Sequence, residues 1–419
     1  MTTTYLPPAR PAPPKSRRFL SPLLLLLTVF GPISMDLYLP ALPALTTQLG
    51  AVTSVAQLTV TACLIGLALG QLIAGPVSDQ FGRRRVLLAG VVAYVITSAL
   101  CAASPSIEAL IAARFVQGVA GGVGIVIGQA AGRDVFSGPQ LIRFYGRLTV
   151  FGGLAAVIGP LLGGQLTTVL DWRGLFAFLG LVGAILLAVI ARWFPETLPA
   201  TRRTSGGFTR TVSDFRTLLA NQRFLGAVLN QGFLYAALFA YLSGSTYVLQ
   251  EIYGLSPQAY AAAFGLNSAG FMVSGFLAGR AAERCSVPGT LAVGIAVTGA
   301  GALGLLATSL TAAPLPVVII SLFALASGVA ISSPPATTLA LADWPQMAGA
   351  ASSLLGMVRF GLGAISAPLV GVAGAATVLP LGTVTTGCVV LAAAAFTGLA
   401  ARPARGTTAA AVASEAAAA

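Results

Sequence analysis

The chain has no histidine and only four cysteines in 419 residues. Cys63, Cys101 and Cys388 lie inside apolar runs and Cys285 in a short loop, so no disulfide framework, zinc site or histidine proton relay is available. Charge is scarce as well. Asp, Glu, Lys and Arg make up 8% of the residues, where a soluble domain carries roughly a quarter, and acids are the rarer sign, 11 against 23 bases. What fills the chain is apolar: 56% of residues are hydrophobic and the mean hydropathy is +0.90. Apolar stretches of about 20 residues, each long enough to cross the hydrocarbon layer as a helix, recur along nearly all of it. The composition predicts an all-α polytopic membrane protein. Its net charge of +12 falls in small basic groups between apolar spans, the pattern of loop charge and not of a nucleic-acid stripe.

Spans are expected at 19–42, 54–76, 86–104, 108–131, 145–168, 173–195, 223–250, 257–280, 288–310, 313–335, 346–373 and 377–400, twelve in all. The first has basic residues before it, as a signal peptide would, but it runs past fifteen residues without a small-residue cleavage pattern, so it reads as a retained helix. The longest polar interval, "ETLPATRRTSGGFTRTVSDFRTLLANQR", divides the spans into six and six. The expected organisation is a disordered cytoplasmic head (1–18), a six-helix bundle (19–195), a cytoplasmic linker (196–222), a second six-helix bundle (223–400) and a disordered cytoplasmic tail (401–419). With the N-terminus inside, all but three of the 23 basic residues fall on the cytoplasmic side. Arg173 falls outside, while Arg114 and Arg359 land within spans, and this asymmetry predicts that both termini are cytoplasmic.

Asp36, in "SMDLYLPALP", ends the first apolar run with no obvious neighbour to neutralise it. A charge in a membrane helix costs roughly 2.5 to 3.5 kcal/mol on insertion scales, which makes such an acid a functional candidate by default. At 1.5 Å per residue, Asp36 lies about 27 Å along its helix from Arg18, Arg114 about 9 Å below Glu108, and Arg359 about 18 Å above Met347. All three are therefore expected to face one central cavity from its outer half. Structural readings also stand: either arginine could snorkel or brace neighbouring carbonyls, and Asp36 could take part in a helix-bending hydrogen bond near Pro40. By span and depth, Tyr38, Gln117, Asn230, Tyr235, Asn267 and Ser353 are the other candidate cavity residues. Glycines at close spacing in spans four and five, including Gly118 and Gly122, predict close helix crossings.

Several stretches together resemble the major facilitator superfamily, and within it the drug:proton antiporters of the bicyclomycin and chloramphenicol resistance (Bcr/CflA) type. "GPVSDQFGRRRVLL" (75–88) matches the superfamily loop between spans two and three, which implies a cytoplasmic gate at Gly75, Asp79, Gly82, Arg83 and Arg84. Gln80 departs from that pattern, since many members carry a basic residue there. "LIAARFVQGVAGG" (110–122) is similar to the span-four motif, whose arginine maps to Arg114. "GGLAAVIGPLLGG" (152–164) is similar to the exporter-associated motif, carried here by Gly152, Gly159, Pro160, Gly163 and Gly164. "MDLYLPALP", "RDVF", "DWRGLFAFLGL" and "MAGAASSLLGMVRFGLGAI" resemble the Bcr/CflA branch specifically, and "GRAAERCS" is a degenerate copy of the gate loop in the second half.

The resemblance implies two six-helix bundles and proton-coupled efflux of small amphipathic drugs by alternating access. Asp36 and Arg114 would couple the proton: burial and the guanidinium push the acid's titration in opposite senses. No enzyme activity, metal or cofactor is expected; a proton gradient supplies the energy. The expected partners are drug, protons and the lipid bilayer, and the protein is expected to be a monomer in the bacterial cytoplasmic (inner) membrane. The alternative is an uptake carrier of the same fold for a sugar or other nutrient. A membrane-bound enzyme or receptor would need a catalytic constellation or a substantial soluble domain, and neither is visible.

Overall fold

The computed structural model describes residues 14–136, 138–203, 207–284, 286–311, 313–344, 347–371 and 377–400. The described residues are helical from end to end: α1 (Pro14–Asp36), α2 (Leu42–Gln48), α3 (Thr53–Phe81), α4 (Arg83–Ala102), α5 (Ile107–Val135), α6 (Gly138–Leu166), α7 (Trp172–Trp193), α8 (Gly207–Ala220), α9 (Gln222–Tyr247), α10 (Pro257–Arg284), α11 (Val287–Thr311), α12 (Leu315–Leu341), α13 (Ala348–Gly371) and α14 (Leu379–Ala395). Eleven segments among them are long and apolar enough to cross a membrane. The expected span at 145–168 falls in α6, whose apolar stretch is described over Val157–Leu166.

The first expected span is not one rod. Pro40 and Pro43 lack the N–H groups that would bond the carbonyls four residues earlier, so α1 stops at Asp36, a 3-10 turn covers Leu39–Ala41, and α2 continues to Gln48. The expected disordered head is shortened, because α1 begins at Pro14, a residue suited to a first helical turn. The tail 401–419 and most of the head lie outside the described residues.

Helix pairing repeats between the halves. In the first, α1 packs on α6, α3 on α5, α4 on α5 and α4 on α7; in the second, α9 packs on α13, α10 on α12, α11 on α12 and α11 on α14. The bundles meet through α3 with α13 and α6 with α10, again a matched pair. This is the quasi-twofold relation expected of two related halves. Small residues allow α3 and α5 to cross closely: a Cβ on Gly118 of α5 would run into the backbone of Cys63 on α3.

The linker contains a helix that its polar sequence did not predict. Leu218 of α8 is completely buried among Phe224, Val228, Leu354 and Leu355, an anchor of roughly 1.5 to 3 kcal/mol. The stretch therefore folds onto the second bundle and sends Asp214 and Phe215 toward the space between the bundles.

Candidate functional site

Two cavities lie along the line where the bundles meet. The inner one, about 180 Å³, takes Pro32, Met35 and Asp36 from α1 and Leu67 from α3; its opposite wall is Tyr235, Tyr241, Phe239, Phe264, Phe271, Asn267, Arg359 and Phe360. The larger one, about 470 Å³, opens at the end where the linker lies and is lined by Asp79, Arg83, Arg133, Asp134, Asp214 and Ser353.

Asp36 sits on the last residue of α1, 8% exposed, where the chain breaks for Pro40. Its space is made by α6. A side chain on Gly159 would start 3.1 Å from the Asp36 Cβ, and one on Gly163 would run into the Leu37 carbonyl. The carboxylate has no ion-pair or hydrogen-bond partner among the described residues.

Arg114 is not that partner. It is completely buried inside the first bundle, donates to Gln117 Oε1 at 2.6 Å and to the Ser34 carbonyl at 3.5 Å, and lies 4.5 Å from the Tyr38 ring centroid and 5.5 Å from that of Phe176. Its Nε and Nη2 have no hydrogen-bond partner among the described residues. Gln117 passes the contact on to Ser98 Oγ at 2.7 Å, and the Tyr38 hydroxyl pairs with Thr59 at 3.0 Å. The Ser34 bond is the carbonyl-bracing reading of Arg114 in part, and it ties the arginine to the turn that carries Asp36.

Several candidate cavity residues therefore lie elsewhere. Tyr38, Arg114 and Gln117 form a polar core within the first bundle. Asn230 donates to the Ala392 carbonyl at 2.9 Å and fastens α9 to α14. Ser353 faces the linker-side cavity. Tyr235, Asn267, Arg359 and Asp36 do share the inner cavity. Arg359 lies 4.2 Å from the Tyr235 centroid and 5.4 Å from that of Phe360, and Asn267 donates to the Tyr241 hydroxyl at 3.1 Å. Of the aromatic wall only Tyr235 was among the candidates; Phe239, Tyr241, Phe264, Phe271 and Phe360 were missed. The wall's signal was the run of aromatics along α9 and α10, whose facing a sequence does not give.

At the linker side, Arg83 joins Asp79 at 2.7 Å and Asp134 at 3.2 Å. Gly82 takes φ +95°, a region side chains rarely adopt, so that α3 can turn directly into α4. Glu196, from the start of the linker, accepts from the backbone N–H of Arg83 at 2.9 Å and of Arg84 at 3.3 Å and caps α4. The Arg84 side chain donates to the Ala191 carbonyl at 2.6 Å. Gly75 lines the same cavity, and Glu196 and Asp134 were not among the candidates. Of the α6 motif, Gly164 packs against Ala261 and Pro257 of α10, Pro160 is buried in the helix, and the surroundings of Gly152 lie outside the described residues.

The far side is sealed by uncharged hydrogen bonds. The Leu39 carbonyl, which Pro43 cannot serve, accepts from Leu42 N–H and from Thr246 Oγ1 across the interface at 2.8 Å. Gln250 donates to the Pro40 carbonyl at 3.2 Å, Thr46 and Tyr247 hydroxyls pair at 2.8 Å, and Gln258 donates to the Gly164 carbonyl at 3.1 Å.

Comparison with known proteins agrees with this architecture. Residues 24–368 match the Major Facilitator Superfamily. The chain is 36% identical to an uncharacterized MFS-type transporter of Bacillus subtilis, over 92% of this chain and 96% of that protein. It is 30% identical to a bicyclomycin resistance protein homolog of Haemophilus influenzae, over 88% and 93%. It is 32% identical to a chloramphenicol resistance protein of Pseudomonas aeruginosa, over 67% and 66%. Among solved structures, the nucleoside transporter NupG superposes with a TM-score of 0.74 at 14% identity, covering 90% of this chain and 99% of that one.

Proposed function

The chain belongs to the Major Facilitator Superfamily, and we propose that this transporter exports small amphipathic drugs across the bacterial cytoplasmic membrane in exchange for protons, with both termini in the cytoplasm. The carrying observation is Asp36, a carboxylate without a cation partner among the described residues, on the wall of an apolar cavity between the bundles. It is the only described acid lining that cavity, so a proton taken or lost there changes the charge the ligand meets. The relatives named for bicyclomycin and chloramphenicol resistance support a drug as the ligand. The lining weighs against sugar uptake, because a sugar needs an array of hydrogen-bonding groups and this wall is mainly aromatic and aliphatic.

Access alternates by rocking one bundle on the other. In this conformation the far side is closed by the Thr246 and Tyr247 contacts, and the polar cavity lies on the linker side. A proton binds Asp36 and drug leaves; the bundles return, the proton dissociates and drug binds again. A neutral drug exchanged for one proton moves charge inward, so the membrane potential adds about 2.3 kcal/mol per 100 mV. The test is expression in a pump-deficient bacterium across an antibiotic panel, with drug-induced proton release measured in proteoliposomes. Raised inhibitory concentrations together with proton release support the reading; confirmed expression with neither sinks it.

A further inference from the structure

Arg359 is the one cation lining the inner cavity among the described residues, and it has no acid within ion-pair distance there. The acids of the second half whose side chains are described stand at helix ends: Glu251 beyond α9, and Asp343 beyond α12, where it pairs with Arg223 at 3.5 Å. The Tyr235 and Phe360 rings flank the guanidinium, and its Nε is buried without a hydrogen-bond partner among the described residues. Across the cavity stands Asp36, on the other bundle and likewise unpaired. Asn267 adds a carbonyl oxygen, buried and without a donor among the described residues. Opposite charges thus face one apolar space of about 180 Å³ and do not neutralise each other by contact.

The geometry points to Arg359 as the residue that restricts this cavity to net-neutral ligands: aromatic amphipaths, dipolar or zwitterionic, with an acceptor group toward Arg359 and a donor group toward ionised Asp36. The inference rests on the cavity being the export site and adds the charge class of what it takes. In a low-dielectric space a like charge is repelled far more strongly than in water. A permanent organic cation meets Arg359, and a monoanion meets Asp36. A ligand with both poles, or with a strong internal dipole, satisfies both walls, and discrimination comes from the repulsive element as much as from the attractive one. Protonation of Asp36 removes the negative pole and loosens such a ligand, which is the competition an antiporter needs. The guanidinium, close to the Tyr235 and Phe360 rings, has N–H donors that suit a carboxylate, sulfonyl or nitro group.

The test uses dansyl probes that share one fluorophore: a neutral amide, a zwitterion, a quaternary ammonium and a carboxylate. Binding is measured by fluorescence on the purified full-length protein at a pH where Asp36 is ionised. Wild type should bind the neutral and zwitterionic probes at least tenfold tighter than either singly charged one. Arg359→Gln should reverse the preference, with the cation gaining about tenfold and the zwitterion losing about tenfold. Arg359→Lys should keep the exclusion of the cation, and Asp36→Asn should admit the anion. A cation preferred by wild type, or a cation-to-zwitterion ratio that moves less than twofold in Arg359→Gln, overturns the assignment. If Arg359→Gln does not fold, the lysine and Asp36→Asn arms decide: cation exclusion lost in the first, or an anion still refused by the second, overturns it. An altered ranking with proton-coupled export intact defeats this inference alone, whereas an intact ranking with no uphill transport defeats the export reading.

Discussion

Each half of the molecule carries one arginine deep in a span, and the two are housed in opposite ways. Arg114 is closed inside its bundle, bonded to Gln117 and Ser34 and stacked on Tyr38, with no exposed surface. Arg359 lies on its bundle's inner wall and faces a cavity. The two do not occupy equivalent places: the pairing matches α5, which carries Arg114, with α12, and α13, which carries Arg359, with α6, so the difference comes from position in the repeat as well as from the side chains around each. The first bundle spends its polar groups on an internal network that holds the Asp36 turn. The second uses hydroxyls and amides mostly to join its own helices and presents an aromatic face. On the proposed export reading, proton coupling falls to Asp36 on the first bundle, while the second supplies the aromatic wall and Arg359.

The largest expected effect tests the first half of that contrast. Asp36→Asn should reduce uphill drug accumulation in proteoliposomes to background while leaving downhill exchange and measurable drug binding. A variant that still concentrates drug at the wild-type rate would remove Asp36 from coupling and with it the division of labour. Arg114 and Arg359 are then compared directly. Arg114→Ala strips donors from Gln117 and the Ser34 carbonyl in a sealed core, so it should cost roughly 2 to 4 kcal/mol of stability and impair export. Arg359→Ala, at a cavity wall, should lower Tm much less while changing ligand preference. Equal losses of Tm would mean that both arginines are structural and that the contrast is only one of exposure.

Depth was legible in the sequence and azimuth was not. Residue counts put Asp36, Arg114 and Arg359 at compatible heights, yet only Asp36 and Arg359 share a cavity. Arg114 turns inward because Gln117, one turn away, and the Tyr38 ring receive it. Tyr38, Gln117 and Asn230 were similarly at the right height on the wrong face. The twelve-span, two-bundle plan followed from apolar run lengths, but the first span was expected to run unbroken over 19–42, and the break after Asp36 that Pro40 and Pro43 impose was not anticipated. The α8 helix was hidden because its polar composition outweighs a single anchoring leucine, Leu218, which is buried only through residues distant in sequence. The α6 motif was visible as glycines; that Gly159 and Gly163 serve the Asp36 turn was not.

That contact gives the next prediction in size. Gly163→Ala places a methyl into the Leu37 carbonyl and must push α6 from α1, whereas at Gly159 the Asp36 Cβ needs to yield only slightly. Export activity and Tm should fall clearly for Gly163→Ala and only mildly for Gly159→Ala. The reverse order would mean that the α6 glycines act on some partner other than the Asp36 turn.

The smallest effect concerns the seam where the halves meet on the far side. Thr246 Oγ1 donates to the Leu39 carbonyl at 2.8 Å and accepts from Gln250 at 3.1 Å, so Thr246→Val removes both bonds with little change of shape. Leu39 keeps its bond from Leu42 N–H, so no buried carbonyl is left bare and the cost is that of an ordinary hydrogen bond, about 0.5 to 1.5 kcal/mol. The loss of the Leu39 bond falls on the far-side-closed state alone, because Thr246 and Leu39 belong to different bundles, whereas the Gln250 bond lies within the second half and is lost in both states. The equilibrium should therefore move two- to tenfold toward the open state. A cysteine placed at Ser243, which is buried beneath Gln57 at the seam, reports it through its alkylation rate in a variant lacking the native cysteines. Thr246→Val should raise that rate several-fold and Thr246→Ser, which keeps the hydroxyl, should not. Equal rates in the two variants would show that the far side is held shut by packing, and that the carbonyl left open by Pro43 has no part in the gate.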